Sequence, residues 1–352
     1  MAVVHVIGGG PAGTIAAIYA AEKHDVILSE EHQVIGIPTN CSGLFSKEGL
    51  ESFSDFLDYG SIIENKIYGA NIHFGNEIIT VERKDPIAYA CKRDLLDQKL
   101  ADLAEKKGVK IEYGKRISTN YYSDIIIGAD GPVSSVAKNF NFPKIERFCL
   151  TMQKEIPYKT DGRLVEVFLS NEKFPGFFGW IIPRNEEYAE IAAGVILPND
   201  VRRAWDSLVK MIGIEKQEDV KTALIPIKTR PRSGKIIGKR KVLLVGDAAG
   251  QTKATTGGGV IFGGKCARLA GKFCDNPSRY EFEWKIRYGF DLFLHEKIQE
   301  FVGYKTDEEI EELGKKLKRM DMERFLSKRG DMDSPSKMIK PELLIHLLKG
   351  TI

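Results

Sequence analysis

The sequence of 352 residues lacks several features that would place it in a common class of protein. Lys and Arg number 52 and Asp and Glu 49, and this near balance excludes the strong basic excess expected of a nucleic-acid binder. No apolar run reaches the roughly 18–20 residues that span a bilayer, and the first residues lack the charged segment and cleavage site of a signal peptide. We therefore expect a cytoplasmic protein that is soluble or lies on a membrane surface.

Cysteine is also scarce. The five cysteines are odd in number, and none stands in a CxxC or Cys/His metal spacing, which argues against both a disulfide framework and a metal site. The six histidines form no cluster. No second GxGxxG and no redox cysteine pair occur, so a separate nicotinamide domain is not expected.

Glycine, in contrast, is plentiful, with 34 residues that fall in clusters. The first cluster, Gly8 to Gly13, follows an apolar β-branched run at Val3–Ile7 and precedes a stretch of small residues that predicts a helix. Gly8 permits a tight turn, Gly10 lets the backbone approach a pyrophosphate, and Gly13 lets helix and strand pack closely. The context predicts a dinucleotide-binding βαβ unit.

Glu30 completes this unit, 22 residues after Gly8 and at the end of a second predicted strand, Asp25–Ser29. A carboxylate at this position accepts hydrogen bonds from a ribose diol and repels a 2′-phosphate. The unit does not by itself distinguish FAD from NAD.

Two downstream clusters favour FAD. Gly246-Asp247 ends an apolar strand, and the Asp247 carboxylate can bind a ribityl hydroxyl. Gly257 to Gly259 opens another helix, whose amides can face the flavin edge where negative charge develops on reduction. Asp130-Gly131 follows a third buried strand.

Between these clusters the predicted secondary structure changes. Arg93–Lys107 predicts an amphipathic helix, and four successive strands are expected between Cys149 and Leu197. We expect an α/β protein: a Rossmann-like FAD-binding domain with an inserted antiparallel sheet and a helical C-terminal region. The predicted boundaries are 1–145 with 223–275 for the FAD-binding domain, 146–222 for the sheet, and 276–352 for the helices.

The glycine clusters together resemble the FAD-dependent oxidoreductases of the para-hydroxybenzoate hydroxylase type. Two further segments are similar to the archaeal geranylgeranyl reductases within that type. The first is GIPTNCSG, which contains Cys41, and the second is GDAAGQTKATTGGGV, in which Ala254 replaces the family's proline. FGWIIP resembles the family's YxWxFP substrate motif, with Phe178 for tyrosine and Ile182 for the second aromatic residue.

The resemblance implies FAD as cofactor and assigns residues to it. The implied cofactor-binding residues are Gly8, Gly10, Ala12, Gly13, Glu30, Cys41, Gly43, Arg93, Asp130, Gly131, Gly246, Asp247, Gly257, Gly258, Gly259 and Val260. The implied substrate-binding residues are Phe178, Trp180, Ile182 and Pro183. Cys41 is also the implied catalytic residue, as a proton donor or positioning group, with a bound water as the alternative donor. Outside the resemblance, a free cysteine is most often a buried apolar residue.

The implied activity is saturation of the C=C bonds of geranylgeranyl chains, in ether phospholipids or in geranylgeranyl diphosphate. A flavin monooxygenase, a flavin halogenase and a non-catalytic FAD- or lipid-binding protein remain alternatives. The electron donor is either NADPH or a ferredoxin. A prenyl lipid substrate implies transient contact with a membrane surface, and Pro341–Leu348 is short and amphipathic, which suits either such contact or packing on the protein.

Overall fold

A computed structural model describes residues 2–338 of the chain. Within these residues the strands form sheets of six, seven and three members. In chain order the strands are β1 (Val3–Ile7), β2 (Asp25–Ser29), β3 (Leu44–Ser46), β4 (Ile63–Ile67), β5 (Gly69–Phe74), β6 (Glu77–Glu82), β7 (Ala88–Cys91), β8 (Lys110–Glu112), β9 (Ile125–Gly128), β10 (Phe148–Pro157), β11 (Leu164–Leu169), β12 (Gly179–Pro183), β13 (Tyr188–Ile196), β14 (Lys221–Pro226), β15 (Gly234–Ile237) and β16 (Arg240–Leu244).

The helices lie mainly between the strands of the first sheet and after residue 259. They are α1 (Pro11–Ala20), α2 (Lys47–Glu51), α3 (Arg93–Lys106), α4 (Ser135–Asn139), α5 (Val201–Met211), α6 (Val260–Lys272), α7 (Pro277–Trp284), α8 (Phe290–Gly303), α9 (Asp307–Arg319) and α10 (Met322–Arg329). A π-helical segment, Lys285–Gly289, joins α7 to α8.

The six-stranded sheet has the order β15-β16-β9-β1-β2-β8, with all neighbours parallel except β15 and β16. Its central strands are apolar on both faces, because successive side chains of a strand point to opposite sides and helices cover each side. Ile127 belongs to the core that contains α1 and α6, whereas Ile126 belongs to the core beneath α4. The expected Rossmann-like architecture is confirmed.

The seven-stranded sheet has the order β14-β10-β13-β12-β11-β5-β6. Its neighbours are antiparallel except for β11 and β5, which run parallel. Ile181 and Ile191 lie on the face packed against Trp205 of α5, while Trp180 and Ile182 lie on the opposite face. Since α5 covers only one face, the other is left to form the wall of a cavity.

The inserted sheet was expected from residues 146–222 alone, and its four predicted strands are present as β10–β13. The sheet also takes in β14 and, from residues 69–82, β5 and β6, for none of which the sequence predicts a strand. The numerical domain boundaries stay a prediction. The C-terminal region is helical as far as it is described, and the predicted amphipathic segment Pro341–Leu348 lies outside the described residues.

Candidate active site

The first glycine cluster forms the turn between β1 and α1. Gly8 has a φ of +101°, and a Cβ on it would lie 2.4 Å from the carbonyl oxygen of Ala129. A Cβ on Gly13 would lie 1.9 Å from the carbonyl oxygen of Gly8, whereas a Cβ on Gly10 would meet no atom within 4 Å. Gly8 and Gly13 thus permit close packing, and Gly10 leaves open the space in front of the α1 N-terminus, which suits an anion.

Glu30 is buried beside this turn. Its Oε2 accepts a hydrogen bond from the Gly9 amide at 2.7 Å, and its Oε1 accepts one from the His32 amide at 2.9 Å. The Nδ1 atom of His32 also lies 2.6 Å from Oε1. The carboxylate therefore holds the glycine turn against β2, and ribose binding stays a prediction for it.

The Asp130 side chain stabilises the start of α4. Its carboxylate accepts hydrogen bonds from the Ser134 and Ser135 hydroxyls at 2.6 and 2.9 Å and from the Val136 amide at 3.0 Å. These contacts position α4, and Asp130 does not line the main cavity, whereas its neighbour Gly131 does. A cofactor-binding role for Asp130 stays a prediction.

The main cavity has a volume of about 780 Å³, which lies within the range of ligand-binding clefts. One end is formed by backbone and polar groups from the glycine clusters. From the predicted cofactor-binding set, the lining residues are Gly10, Ala12, Cys41, Gly43, Arg93, Gly131, Gly246, Asp247, Gly257, Gly258, Gly259 and Val260. Gly8, Gly13, Glu30 and Asp130 lie outside this lining.

Asp247 presents a half-buried carboxylate at this end. Burial raises its pKa to about 6, against the opposing effect of the positive charge of Arg93. Among the described residues, no side chain or amide donates a hydrogen bond to this carboxylate. A Cβ on Gly259 would lie 2.8 Å from its Oδ1, so the glycine at the start of α6 leaves space for the carboxylate. An unpaired acceptor beside open backbone fits the ribityl chain of a flavin.

Arg93 lies between the main cavity and a second one of about 350 Å³, and it lines both. Its guanidinium forms two hydrogen bonds with Asp97 one turn later on α3, at 2.8 and 2.9 Å. Burial alone would lower the pKa of Arg93, but the Asp97 carboxylate and the Cys41 thiol raise it above the ordinary value. Arg93 is therefore a fixed cation between the predicted cofactor and the loop that carries Cys41.

Cys41 is half-buried in a loop that is tied to the seven-stranded sheet. The Gly43 amide donates to the Cys41 Sγ at 3.4 Å. Ser42 accepts a hydrogen bond from the Trp180 indole at 3.2 Å and donates one to Gln153 at 3.3 Å. These contacts hold the thiol at the cavity wall, between the polar end and the aromatic residues.

The other end of the cavity is apolar. Phe177, Phe178 and Trp180 pack as a group, with ring centroids 4.2 Å apart for the first pair and 5.2 Å for Phe178 and Trp180. Ile182 lines the same wall, but Pro183 does not: it ends β12, and its carbonyl accepts a hydrogen bond from Asn65 at 3.1 Å. The remaining apolar lining includes Ile72, Phe74, Val165, Val167, Leu169, Ile298, Phe301, Val302, Leu313 and Leu317.

The structure also contains a buried polar cluster beside Gly258 that the sequence does not predict. The Lys253 Nζ donates to the Asp333 Oδ1 at 2.6 Å and to the Met332 carbonyl at 3.3 Å, and Asp333 also accepts from the Ser46 hydroxyl. Burial alone would raise the pKa of Asp333, but Lys253 brings it below the ordinary value. No local pattern marks these residues, because Asp333 comes from the C-terminal region, 80 residues away.

His295 extends this cluster. Its Nε2 lies 3.2 Å from the Asp333 carbonyl oxygen, and its Nδ1 lies 2.7 Å from the Thr255 hydroxyl. Burial lowers the pKa of His295 to about 4, so the ring is neutral near pH 7. Lys253 and Thr255 both line the cavity, so the cluster supports the loop that leads to the glycines of α6.

The fold defined by these elements is that of the flavin-dependent oxidoreductases. A geranylgeranyl bacteriochlorophyll reductase-like protein of Thermoplasma acidophilum superposes with a TM-score of 0.80 at 20% identity, covering 100% of this chain and 99% of that one. A 2-methyl-3-hydroxypyridine-5-carboxylic acid oxygenase superposes with a TM-score of 0.65 at 18% identity, covering 96% and 95%.

The curated relatives are consistent with this class. An uncharacterized protein of Methanocaldococcus jannaschii is 29% identical, covering 95% of this chain and 93% of its own. The digeranylgeranylglycerophospholipid reductase of Methanothrix thermoacetophila is 27% identical, covering 92% and 93%. No protein-family model matches the chain. The resemblance to geranylgeranyl reductases that the motifs predict is confirmed by these relatives.

Proposed function

We propose that this protein is an FAD-dependent reductase that saturates C=C bonds of geranylgeranyl chains in archaeal-type ether phospholipids or in geranylgeranyl diphosphate. The observation that carries the proposal is the shape of the main cavity, which joins a backbone-lined polar end to a long apolar end. Relatives named as digeranylgeranylglycerophospholipid reductases, similar over more than nine-tenths of the chain, support it.

The polar end fits FAD. The α1 N-terminus beside Gly10 would hold the pyrophosphate, the Asp247 carboxylate would accept a hydroxyl of the ribityl chain, and the amides before Val260 would face the ring edge. When bound and reduced, FAD supplies the hydride for a reaction that adds one hydride and one proton across each C=C bond. The side chains of the protein would position the prenyl chain, exclude water from it and supply the proton.

Phe178, Trp180 and Ile182 would orient the prenyl chain. An isolated alkene offers no group for hydrogen bonding, so its position must come from van der Waals contact and from the exclusion of water. Cys41 lies where this wall meets the polar end, and we propose its thiol, or a water held beside it, as the proton source. Arg93 would present its guanidinium to the same region, with the positive charge balanced in part by the Asp97 carboxylate.

An oxygenase or halogenase is the competing activity, because structural neighbours with these activities share the fold. CmlS, a flavin-dependent halogenase, superposes with a TM-score of 0.64, below the 0.80 of the reductase-like protein. The sequence relatives named above favour the reductase.

Two partners complete the proposal. The electrons would come from NADPH or from a ferredoxin, and the lipid would be taken up during transient contact of a cytoplasmic protein with a membrane. No helix within residues 2–338 is both long and apolar enough to cross a bilayer.

The test is an anaerobic incubation of FAD-loaded protein, dithionite and digeranylgeranylglycerophospholipid, with the products read by mass spectrometry. The proposal expects a ladder of products, each heavier by one pair of hydrogen atoms. Denatured protein with free FAD and dithionite is the control. Lipid of unchanged mass, or a product that forms only with oxygen and gains an oxygen or a halogen atom, would contradict the proposal.

A further inference from the structure

The segment from α7 to α8 is one long helical rod with two unlike faces. Its inner face is buried through residues such as Tyr280, Trp284 and Leu292. Its outer face carries an apolar stripe, which we define as Phe282, Ile286, Phe290, Phe293, Phe301 and Tyr304. These six side chains are 48–77% exposed, and they span about 33 Å at 1.5 Å per residue.

So many large apolar side chains in one row are unusual on a protein surface. Scattered exposed apolar residues are normal, but contiguous patches mark sites that bind a protein, a ligand or a membrane. Among the residues the structure describes, nothing covers the apolar stripe, since all six members remain exposed.

Beside the stripe, the basic side chains are more exposed to solvent than the acidic side chains with which they pair. The cations Arg279, Lys285, Arg287 and Lys297 are 42–58% exposed, while their carboxylate partners are only 16–24% exposed. The Glu281 carboxylate, for example, accepts hydrogen bonds from the Ser233 and Gly234 amides at 2.9 and 2.8 Å. The surface therefore presents aromatic rings flanked by cations, and this pattern suits an interface with anionic headgroups.

The stripe also reaches the mouth of the main cavity. Ile298 and Phe301 line that cavity and are 43% and 56% exposed, so they stand where it opens. Val302 and Leu317 continue the lining inward. Phe301 belongs both to the stripe and to the cavity lining, so an apolar chain that left a bilayer at this point would meet the cavity directly beside the stripe.

We infer that the apolar stripe of α7 and α8 is the surface that docks on an anionic lipid bilayer and delivers the prenyl chain to the cavity mouth. The inference rests on the proposed function for its substrate. A second copy of the chain is the competing occupant, but a copy seated on Ile298 and Phe301 would close the opening. The stripe differs from Pro341–Leu348, the segment that the sequence suggested for membrane contact.

The test uses full-length FAD-loaded protein and vesicle flotation, with phosphatidylglycerol vesicles and phosphatidylcholine vesicles compared. The double variant Ile286→Glu/Phe290→Glu changes the stripe at positions that do not line the cavity. Met211→Glu is the matched control, because Met211 is 41% exposed on α5, which packs on the face of the seven-stranded sheet opposite the cavity wall. Leu343→Glu/Leu344→Glu tests the C-terminal segment.

The inference expects the wild type and both other variants to bind phosphatidylglycerol vesicles, and the stripe variant to bind at least tenfold less. Reduction of lipid in vesicles should fall in parallel, whereas reduction of detergent-dispersed lipid should be unchanged. Binding to vesicles without reduction in any medium would refute the proposed function and leave the docking surface standing.

Three results would overturn the inference itself. One is a wild type that does not bind vesicles although it reduces detergent-dispersed lipid. Another is binding that is lost only in the Leu343→Glu/Leu344→Glu variant. The third is a wild-type dimer that the stripe variant turns into a monomer with vesicle binding intact, as measured by light scattering.

Discussion

Lys253 and Asp333 form a buried ion pair, with 2.6 Å between Nζ and Oδ1, that joins the loop before Gly257 to the C-terminal region. The Lys253 amide also donates to the Gly258 carbonyl at 3.0 Å, and the Lys253 carbonyl accepts from the Gly257 amide at 2.8 Å. The pair therefore fixes the backbone that precedes α6, where the flavin ring would lie.

Asp333→Asn should destabilise the protein because it leaves the Lys253 ammonium buried without a counter-charge. Breaking a buried pair costs about 3–5 kcal/mol, which chemical denaturation would measure as a lower free energy of unfolding. The matched control is Lys318→Met, which removes an exposed pair with Glu77 and should cost less than about 1 kcal/mol. Equal losses in the two variants would contradict this reading of the cluster.

The stability that Asp333 provides should also depend on pH in a defined direction. Its pKa is lowered in the folded protein, so the contribution is present above the unfolded-state pKa. It is lost as the pH falls through the folded-state value. The difference between wild type and Asp333→Asn should therefore shrink in acid, and a constant difference down to complete protonation would contradict the assignment.

Asp247→Asn should have opposite effects on the stability of the unliganded protein and on its affinity for FAD. The pKa of Asp247 is raised from its unfolded value to about 6, so its ionisation destabilises the unliganded fold as the pH rises through that range. At pH 7 the unliganded variant should be more stable by about 2–3 kcal/mol, and the gain should vanish near pH 4. Denaturation at several pH values measures this.

The same variant should bind FAD at least tenfold more weakly, because an amide replaces the charged acceptor that faces the ribityl chain. Titration of unliganded protein with FAD would measure the dissociation constant. Asp206→Asn, on the exposed side of α5, is the control and should change neither property. Unchanged FAD affinity in Asp247→Asn would remove Asp247 from the site.

Trp180→Phe should impair reduction of the prenyl chain without weakening FAD binding. The smaller ring opens the cavity wall and loses the hydrogen bond to Ser42, so both the chain and the Cys41 loop are held less firmly. We expect kcat/KM for digeranylgeranyl lipid to fall about tenfold. Trp205→Phe, on the opposite face of the same sheet, is the control and should change stability alone. Equal decreases in kcat/KM in the Trp180→Phe and Trp205→Phe variants would contradict the assignment of Trp180 to the cavity wall.

Cys41→Ala should slow reduction by about a hundredfold at saturating lipid if the thiol supplies the proton. The solvent deuterium isotope effect of the wild type should change in the variant, while the FAD dissociation constant stays the same. Cys274→Ala, buried just after the C-terminal end of α6 and outside the cavity lining, is the control. An unchanged rate, isotope effect and product pattern would make a water the proton source and leave the function intact.

The parts of the site that the sequence predicted are those encoded by local patterns. The turn from Gly8 to Gly13 and the Gly246-Asp247 pair each follow an apolar strand, so their positions at one edge of a parallel sheet could be expected. The resemblance of FGWIIP to a substrate motif likewise indicated Phe178, Trp180 and Ile182, which line the cavity.

Long-range pairing explains what the sequence did not reveal. Strands β5 and β6 join the seven-stranded sheet through β11, about 95 residues later, and nothing local specifies that partner. The pairing of Lys253 with Asp333 is of the same kind. The apolar residues from Phe282 to Tyr304 recur with the periodicity of a helix face that packs on a core. Only the tertiary structure shows that the helix buries its opposite face and leaves these residues exposed.

The central claim is that electrons pass from the bound cofactor to a prenyl C=C bond. The most direct measurement is anaerobic stopped-flow absorbance of the dithionite-reduced, FAD-loaded protein mixed with digeranylgeranylglycerophospholipid or with its fully saturated counterpart. We predict that the unsaturated lipid reoxidises the flavin within the turnover time and that the saturated lipid does not. Flavin that stays reduced with both lipids and is reoxidised only when oxygen is admitted would contradict the claim.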